Sequence, residues 1–330
     1  GVYSSIAPVA DTRRGSIAPV SEVPFKKAVP EIQKPVAKSG LTNLMDSFKK
    51  VVQPDNKATE EDKEAQRPKA LHKRKKVAFA LVEREELSYN VRRLRFALQS
   101  PDHILGLPVG QHMFISGRVN GAMCMRAYTP LTGDEVQGYF DLLIKVYYKN
   151  EHPKFPEGGK MSQHLNDLSL GQTIDVRGPL GHIDYQGRGK FLMDGKPRFA
   201  KHIRMMAGGT GITPMWQVMQ AVMRDPEDTT ELSLIYANNT ETDIMLYKEL
   251  NEMRENNANC RVYHTLASPK EPELWREGTG FINEDMVREN IGEPVEDALV
   301  FLCGPPPMLN FACIPALMAL GYQKDNIFQF

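Results

Sequence analysis

Met205–Val218 reads MMAGGTGITPMWQV, and its reading decides the fold. An apolar run ends in glycines at 208, 209 and 211, and a helix opens at about Pro214. Glycines let the backbone approach a ligand closely. The helix start behind them offers free N–H groups to a phosphate. The pattern G-G-T-G-I-T-P differs from the dinucleotide fingerprint G-x-G-x-x-G, and taken alone it also fits a tight turn without a ligand.

Outward from this loop the chain alternates. IRMMAGG is followed by ELSLIYANN (231–239), CRVYHTLA (260–267), ALVFLCGPPP (298–307) and NIFQF (326–330). Helices are predicted near 214–224, 243–256, 283–290 and 308–320. Strand–helix alternation predicts a parallel sheet with helices on both faces over 204–330. FLCGPPPM places Cys303 and Gly304 at a strand's C-terminal end, where open α/β sheets bind ligands. Cys303 equally fits a small buried hydrophobe.

Upstream, over 77–190, the rhythm is of short strands: VAFALVEREELSYNVRRLRFAL (77–98), QHMFISG (111–117), MRAYTP (125–130), YFDLLIKVYY (139–148) and QTIDVRGPLGH (172–182). Closely spaced strands predict an antiparallel barrel or sandwich. Within it GGKMSQHL (158–165) reads as a helix opened by Ser162, a second candidate anion site. Arg126 and Tyr128 are two apart and share a strand face, so both can reach one ligand. An ordinary strand with a surface arginine fits as well. Lys145, a charge among apolar neighbours, needs a partner or an edge strand. Residues 191–203 read as an inter-domain linker.

Residues 1–76 read as a disordered hinge or tail, rich in Pro, Ser, Ala, Lys and Glu. Leu41, Leu44, Met45, Phe48, Val51 and Val52 fall at helical spacing and fit a docking or a transient helix. RRGS at 13–16 fits a basophilic kinase site on Ser16. The tail carries 16 Lys/Arg against 9 Asp/Glu, and the remainder 25 against 32, so a basic tail precedes an acidic body. Overall charge is zero, which gives no bias toward nucleic acid or membrane. Four cysteines in no metal or disulfide spacing, and no apolar run of spanning length, suggest a reducing, cytoplasmic setting and no metal site. A start at Gly1 fits a fragment or a processed form.

RAYTP, IKVY, HPKFPEGGKMSQHL, GGTGITP, CGPPPM and a C-terminal Phe, in this order, resemble the cytochrome b5 reductase family over 77–330. RGPLGHIDYQGRGKF, DGKPRFAKH and RDPEDTTE are similar to its branch in plant and algal assimilatory nitrate reductases. The resemblance implies a ferredoxin reductase-like pair of domains: an FAD-binding β-barrel (77–190), then an NADH-binding α/β domain (204–330). It implies that Arg126, Ala127, Tyr128 and Thr129 contact FAD, with Arg126 on its diphosphate. Ile144, Lys145, Val146 and Tyr147 would border the flavin, Phe155 would cover part of it, and Lys160, Met161 and Ser162 would hold the diphosphate. Gly208, Gly209, Thr210, Gly211, Thr213 and Pro214 would receive NADH. Tyr236, Asn238 and Asp243 would hold its adenosine side, and Asp243 would repel a 2′-phosphate. Cys303, Gly304, Pro305 and Met308 would lie beside the nicotinamide and Phe330 near the flavin. Cys303, Thr213 and Lys145 are the expected catalytic positions. The implied activity passes a hydride from nicotinamide to flavin and then electrons to a cytochrome b5-type haem domain, in a homodimeric full-length enzyme reducing nitrate. A free-standing NADH-cytochrome b5 reductase is the alternative. No HPGG-type haem signature and no molybdopterin domain occur in these residues, so haem and molybdenum would belong elsewhere.

Overall fold

The computed structural model describes residues 67–151 and 153–330, which belong to one compact unit. The tail through residue 66, with its candidate helix and Ser16, lies outside the described residues.

The first half is a six-stranded antiparallel sheet built from β1 (Val77–Glu86), β2 (Val91–Ala97), β3 (His112–Val119), β4 (Ala122–Tyr128), β5 (Tyr139–Lys145) and β6 (Thr173–Leu180). Its order is β4-β3-β6-β1-β2-β5, so β4 and β5 are the edges. Alternation places Phe79, Leu81, Leu94, Phe96, Phe140 and Leu142 inside. Phe140 meets Phe79 edge-on at 5.3 Å and stacks on Phe96 at 5.4 Å. The strap before β1 packs down rather than running free. Ala70 and Leu71 are buried in this core, and their N–H groups donate to the carbonyls of Ile104 and Leu105.

Helix α1 (Lys160–Asn166) follows β5. Its start differs from the sequence expectation. Gly159 precedes the helix, and Ser162 sits inside the first turn, where its hydroxyl donates to the Gly159 carbonyl and accepts from Tyr147 N–H. Residues 183–199 form a small antiparallel sheet of β7 (Ile183–Tyr185), β8 (Lys190–Met193) and β9 (Lys196–Phe199).

The second half is a parallel sheet of β10 (His202–Gly208), β11 (Glu231–Asn238), β12 (Cys260–Leu266), β13 (Gly278–Thr279), β14 (Ala298–Cys303) and β15 (Ile327–Gln329). Helices α2 (Ile212–Arg224), α3 (Tyr247–Asn256) and α4 (Glu284–Asn290) connect the strands. The stretch expected as one helix near 308–320 is instead α5 (Pro306–Met308), a wide turn over Leu309–Cys313, and α6 (Ile314–Ala319). Pro315 has no N–H to give to the carbonyl four residues earlier, which favours the wider turn.

Strand order is β13-β12-β11-β10-β14-β15. The chain winds outward from β10 in one direction, then returns to place β14 on the other flank. The crevice above the C-terminal ends of β10 and β14 is therefore a topological switch point. Val91 and Leu143 of the antiparallel sheet share one hydrophobic cluster with Met205, Met215 and Phe301 of the parallel half. Gly110 N–H donates to Gln217 Oε1 at 2.8 Å, and Glu135 pairs with Arg224. Apolar and polar contacts thus fix the two halves around the crevice.

Candidate active site

A cavity of about 660 Å³ opens between the two sheets. Both edge strands of the antiparallel sheet contribute. β4 ends in Arg126, Ala127 and Tyr128, with Thr129 next. β5 brings Leu143, Ile144 and Lys145, with Tyr147 beyond it. The start of α1 supplies Lys160, Met161 and Ser162. From the parallel half come Gly208–Gly211 with Thr213 and Pro214, then Cys303, Gly304 and Pro305, and Phe330. Residues as distant in sequence as Arg126 and Cys303 border one space, as the motifs predict.

Several expected residues stand off the lining. Val146, just past β5, is buried in the barrel core with Leu142 and Ile144. Phe155 is exposed on the loop before α1. Tyr236 lies beneath the floor, where its hydroxyl donates to the Gly209 carbonyl at 2.9 Å and fixes the glycine loop. Met308 packs against the same loop, since a Cβ built on Gly208 would lie 2.5 Å from its sulfur. Asn238 sits at the end of β11 with both amide atoms buried and without a hydrogen-bond partner. Conversely, His112, Leu143, Gly158 and Gly159 line the cavity and were missed. GQHMF carries no chemistry-bearing pattern; His112 reaches the lining from the start of β3, where it pairs with Leu180 of β6.

The glycines are a fit test for a bound cofactor. A Cβ on Gly209, at φ +53°, would meet no protein atom within 4 Å and would enter the open space instead. A Cβ on Gly211 would strike the Cys303 carbonyl, and one on Gly304 would lie 3.1 Å from Gly208 N. The loops after β10 and β14 are thus pressed together, and Gly209 leaves open space beside them. That is the shape a flat ring or a phosphate chain requires.

Electrostatics follow position. Arg126 donates to the Met125 carbonyl at 2.8 Å and, among the described residues, forms no ion pair, which leaves cationic capacity for an anion. Burial pushes the Cys303 thiol up to about 11, so it stays protonated and is no nucleophile at neutral pH. Burial likewise raises the Tyr128 hydroxyl. Thr213 Oγ1 donates to the Thr210 carbonyl at 3.2 Å, a bond that shapes the loop.

Lys145 finds its partner across the crevice. Its Nζ lies 2.5 Å from Asp243 Oδ1, and both side chains are about nine-tenths buried. Asp243 Oδ2 accepts from Thr240 N–H at 3.1 Å and from its hydroxyl at 2.8 Å. Burial alone would raise the Asp243 carboxyl. The hydrogen bonds from Lys145 and Thr240 outweigh it and hold the group below its usual value. Asp243 therefore borders the crevice as an ionised carboxylate paired with Lys145. A second cavity, about 250 Å³, lies beyond it, between Glu241, Ile244, Tyr247, Glu271, Leu274 and Trp275.

The comparisons agree with this geometry. Residues 78–185 match the oxidoreductase FAD-binding domain family, and residues 205–314 match the oxidoreductase NAD-binding domain family. The chain is 52% identical over 258 residues to nitrate reductase [NADH] 1 of Oryza sativa, covering 77% of this chain and 28% of that one. It thus spans under a third of that relative's length. It is 48% identical over 262 residues to NADH-cytochrome b5 reductase 2 of Xenopus tropicalis, covering 77% and 86%. The crystal structure of the cytochrome b5 reductase domain of Ulva prolifera nitrate reductase superposes with a TM-score of 0.76 at 42% identity, covering 79% of this chain and all of that one. An FAD-binding antiparallel sheet and a NAD-binding parallel sheet thus share one crevice, and the chain belongs to the cytochrome b5 reductase family of flavoprotein oxidoreductases.

Proposed function

We propose that the chain takes a hydride from NADH onto a bound FAD and hands the electrons singly to a cytochrome b5-type haem domain, as the flavoprotein part of an assimilatory nitrate reductase. The observation that carries this reading is the single crevice bordered by β4, β5 and the loops after β10 and β14. The cofactors supply the redox chemistry when bound: nicotinamide gives a hydride and flavin divides the pair. The chain's own residues bind, orient and exclude water.

Arg126, with Lys160 and Ser162 at the start of α1, would hold the FAD diphosphate. Tyr128 and Thr129 on one wall, and the backbone of Ile144 on the other, would bound the ring. Gly209–Gly211 would let the pyridine nucleotide lie close enough for transfer, which needs about 3–3.5 Å between reacting atoms. Cys303 and Thr213 would set the nicotinamide's position without exchanging protons, because a neutral thiol and a buried hydroxyl offer no base. The crevice accordingly has small groups where acid–base pairs would otherwise stand.

A free-standing NADH-cytochrome b5 reductase is a second reading, favoured by the coverage of 86% of the Xenopus enzyme. Among the described residues no helix is long and apolar enough to cross a membrane, which fits either. Anaerobic mixing of the flavin-loaded chain with NADH and then with a purified cytochrome b5-type haem protein tests the electron path. Rapid haem reduction supports it. Flavin reduction without haem reduction removes the proposed acceptor. Coding sequence for a haem domain directly upstream of Gly1 selects the nitrate reductase reading, and a start signal there selects the other.

A further inference from the structure

Lys145 and Tyr147 line the cavity from a stretch that has just left its sheet. β5 is an edge strand and ends at Lys145. What fixes residues 145–148 therefore lies largely outside the ladder. On one side Tyr147 N–H donates to the Ser162 hydroxyl at 3.2 Å, and the Tyr147 carbonyl accepts from Gly159 N–H at 2.8 Å. On the other side stands the turn that joins β1 to β2, over residues 87–90, and with it Arg92.

We infer that Arg92 is a positioning residue for flavin reduction: through this turn and the Tyr148 hydroxyl it sets where Lys145 and Tyr147 stand on the cavity wall. The inference rests on the reading above, that a flavin lies in this cavity.

Three observations carry it. First, Arg92 is a cation only 5% exposed, on β2 opposite Ile144 of β5. Its one ion-pair contact among the described residues is Glu86, 3.6 Å from Nε and itself 64% exposed. A charge buried without a close, buried counter-ion is costly unless hydrogen bonds compensate it. Here they do, and they converge on the turn and on Tyr148. Nη1 donates to the carbonyls of Ser88 at 2.6 Å and Val91 at 3.1 Å. Nη2 donates to the Tyr89 carbonyl at 3.2 Å and to the Tyr148 hydroxyl at 3.1 Å. A planar guanidinium serves several acceptors at fixed angles, which an ammonium on a flexible stem does not. Second, both things Arg92 grips hold the lining stretch. The Tyr148 hydroxyl donates in turn to the Tyr89 carbonyl at 3.2 Å, so the tyrosine is clamped between the cation and the turn. Within the turn, the carbonyl of buried Asn90 accepts from Val146 N–H at 2.7 Å. Third, the anchored residues, Val146 and Tyr148, alternate with the lining ones, Lys145 and Tyr147. A shift of the turn is therefore passed directly to the wall.

The test uses the FAD-loaded chain, anaerobic stopped flow with NADH, and visible circular dichroism of the bound flavin. Tyr148→Phe keeps the ring and removes the hydroxyl that joins Arg92 to the stretch. Arg92→Lys keeps the charge and replaces the fork by a point donor. We expect both to retain FAD, to alter the flavin's dichroism, and to slow flavin reduction at saturating NADH roughly three- to tenfold, a fraction of the cost of a misplacement of about 1 Å. Together they should slow it by less than the product of their separate effects, because they act on one path. Arg95→Gln is the control for mere loss of stability. Arg95 lies on the same strand and pairs with Asp141 of β5, and neither lines the cavity. This variant should lower Tm and keep the wild-type reduction rate and dichroism. A wild-type rate and dichroism in Tyr148→Phe overturn the inference, as does equal slowing by Arg95→Gln. If Arg92→Lys does not hold FAD, Tyr148→Phe decides alone by the same two readouts. Wild-type protein whose bound flavin NADH cannot reduce would instead sink the underlying reading, so the two failures are distinct.

Discussion

Gly211→Ala separates the packing of the crevice from its chemistry. Gly211 has φ −63° and ψ −6°, which alanine adopts without strain, so its backbone conformation is not at stake. The cost is steric. The added Cβ would stand 2.5 Å from the carbonyl carbon of Cys303 and 3.1 Å from Gly304 N, against ordinary contacts of about 3.5–4.0 Å. Both obstacles are backbone, so no side chain can rotate away, and the loop after β14 must shift by roughly 1 Å. Overpacking of this kind costs about 1–3 kcal/mol. For a unit of this size, at roughly 2–4 °C per kcal/mol, that lowers Tm by about 2–12 °C. The shifted loop carries Cys303, so flavin reduction by NADH should slow by about tenfold or more, since displacements near 1 Å are that costly. Gly209→Ala is the matched control. Its Cβ meets nothing, but φ +53° makes alanine strained by about 1 kcal/mol, and the methyl enters the cavity. It should weaken pyridine nucleotide binding more than it lowers Tm. Differential scanning calorimetry and anaerobic stopped flow read both quantities. Equal Tm and equal reduction rates for Gly211→Ala and wild type would refute the close apposition of the two loops.

Other expectations follow from single contacts. Cys303→Ser should retain FAD yet slow its reduction by NADH roughly tenfold; with the thiol raised to about 11, the wild-type rate should show no thiolate titration between about pH 6 and 9. An unchanged stopped-flow rate in the variant would remove Cys303 from nicotinamide placement. Gln217→Ala leaves the buried Gly110 N–H unsatisfied across the two halves and should cost about 1–3 kcal/mol in urea titrations, with FAD content unaltered. His264 is fully buried with neither ring nitrogen bonded, and desolvation, with Arg254 adding to it, lowers its basicity against the pull of Glu277. Its folded pKa lies below its unfolded value, so the unfolded chain binds the extra proton. Stability should therefore fall as pH drops below about 6.5, by at most about 1.4 kcal/mol per pH unit. His264→Phe should flatten that slope, and an identical acid limb in both proteins would contradict it.

The division into an antiparallel half and a parallel half was legible because period-2 alternation and strand–helix alternation are local patterns. The glycine loop and CGPPPM were legible because a strand's C-terminal end is also where such sheets bind ligands, and register then brought Ala207 beside Cys303. What escaped depended on distance in sequence or on side-chain direction. Lys145 visibly needed a partner, but nothing local identified Asp243, 98 residues away. Val146 shares the IKVY motif yet points into the core, and His112 lacks a motif yet faces the cavity. Ser162 resembled a helix cap by type, whereas the backbone turns at Gly158, whose φ of +64° suits glycine, and the helix opens before the serine.

The central proposition is that one crevice holds a flavin and admits a nicotinamide against it. Titration of the purified, FAD-reconstituted chain with NADH under anaerobic conditions, followed by the flavin absorption band, tests it most directly. We expect about one FAD per chain and complete bleaching near one equivalent of NADH. A chain that takes up no FAD, or whose bound flavin keeps its oxidised spectrum in excess NADH, would contradict the account.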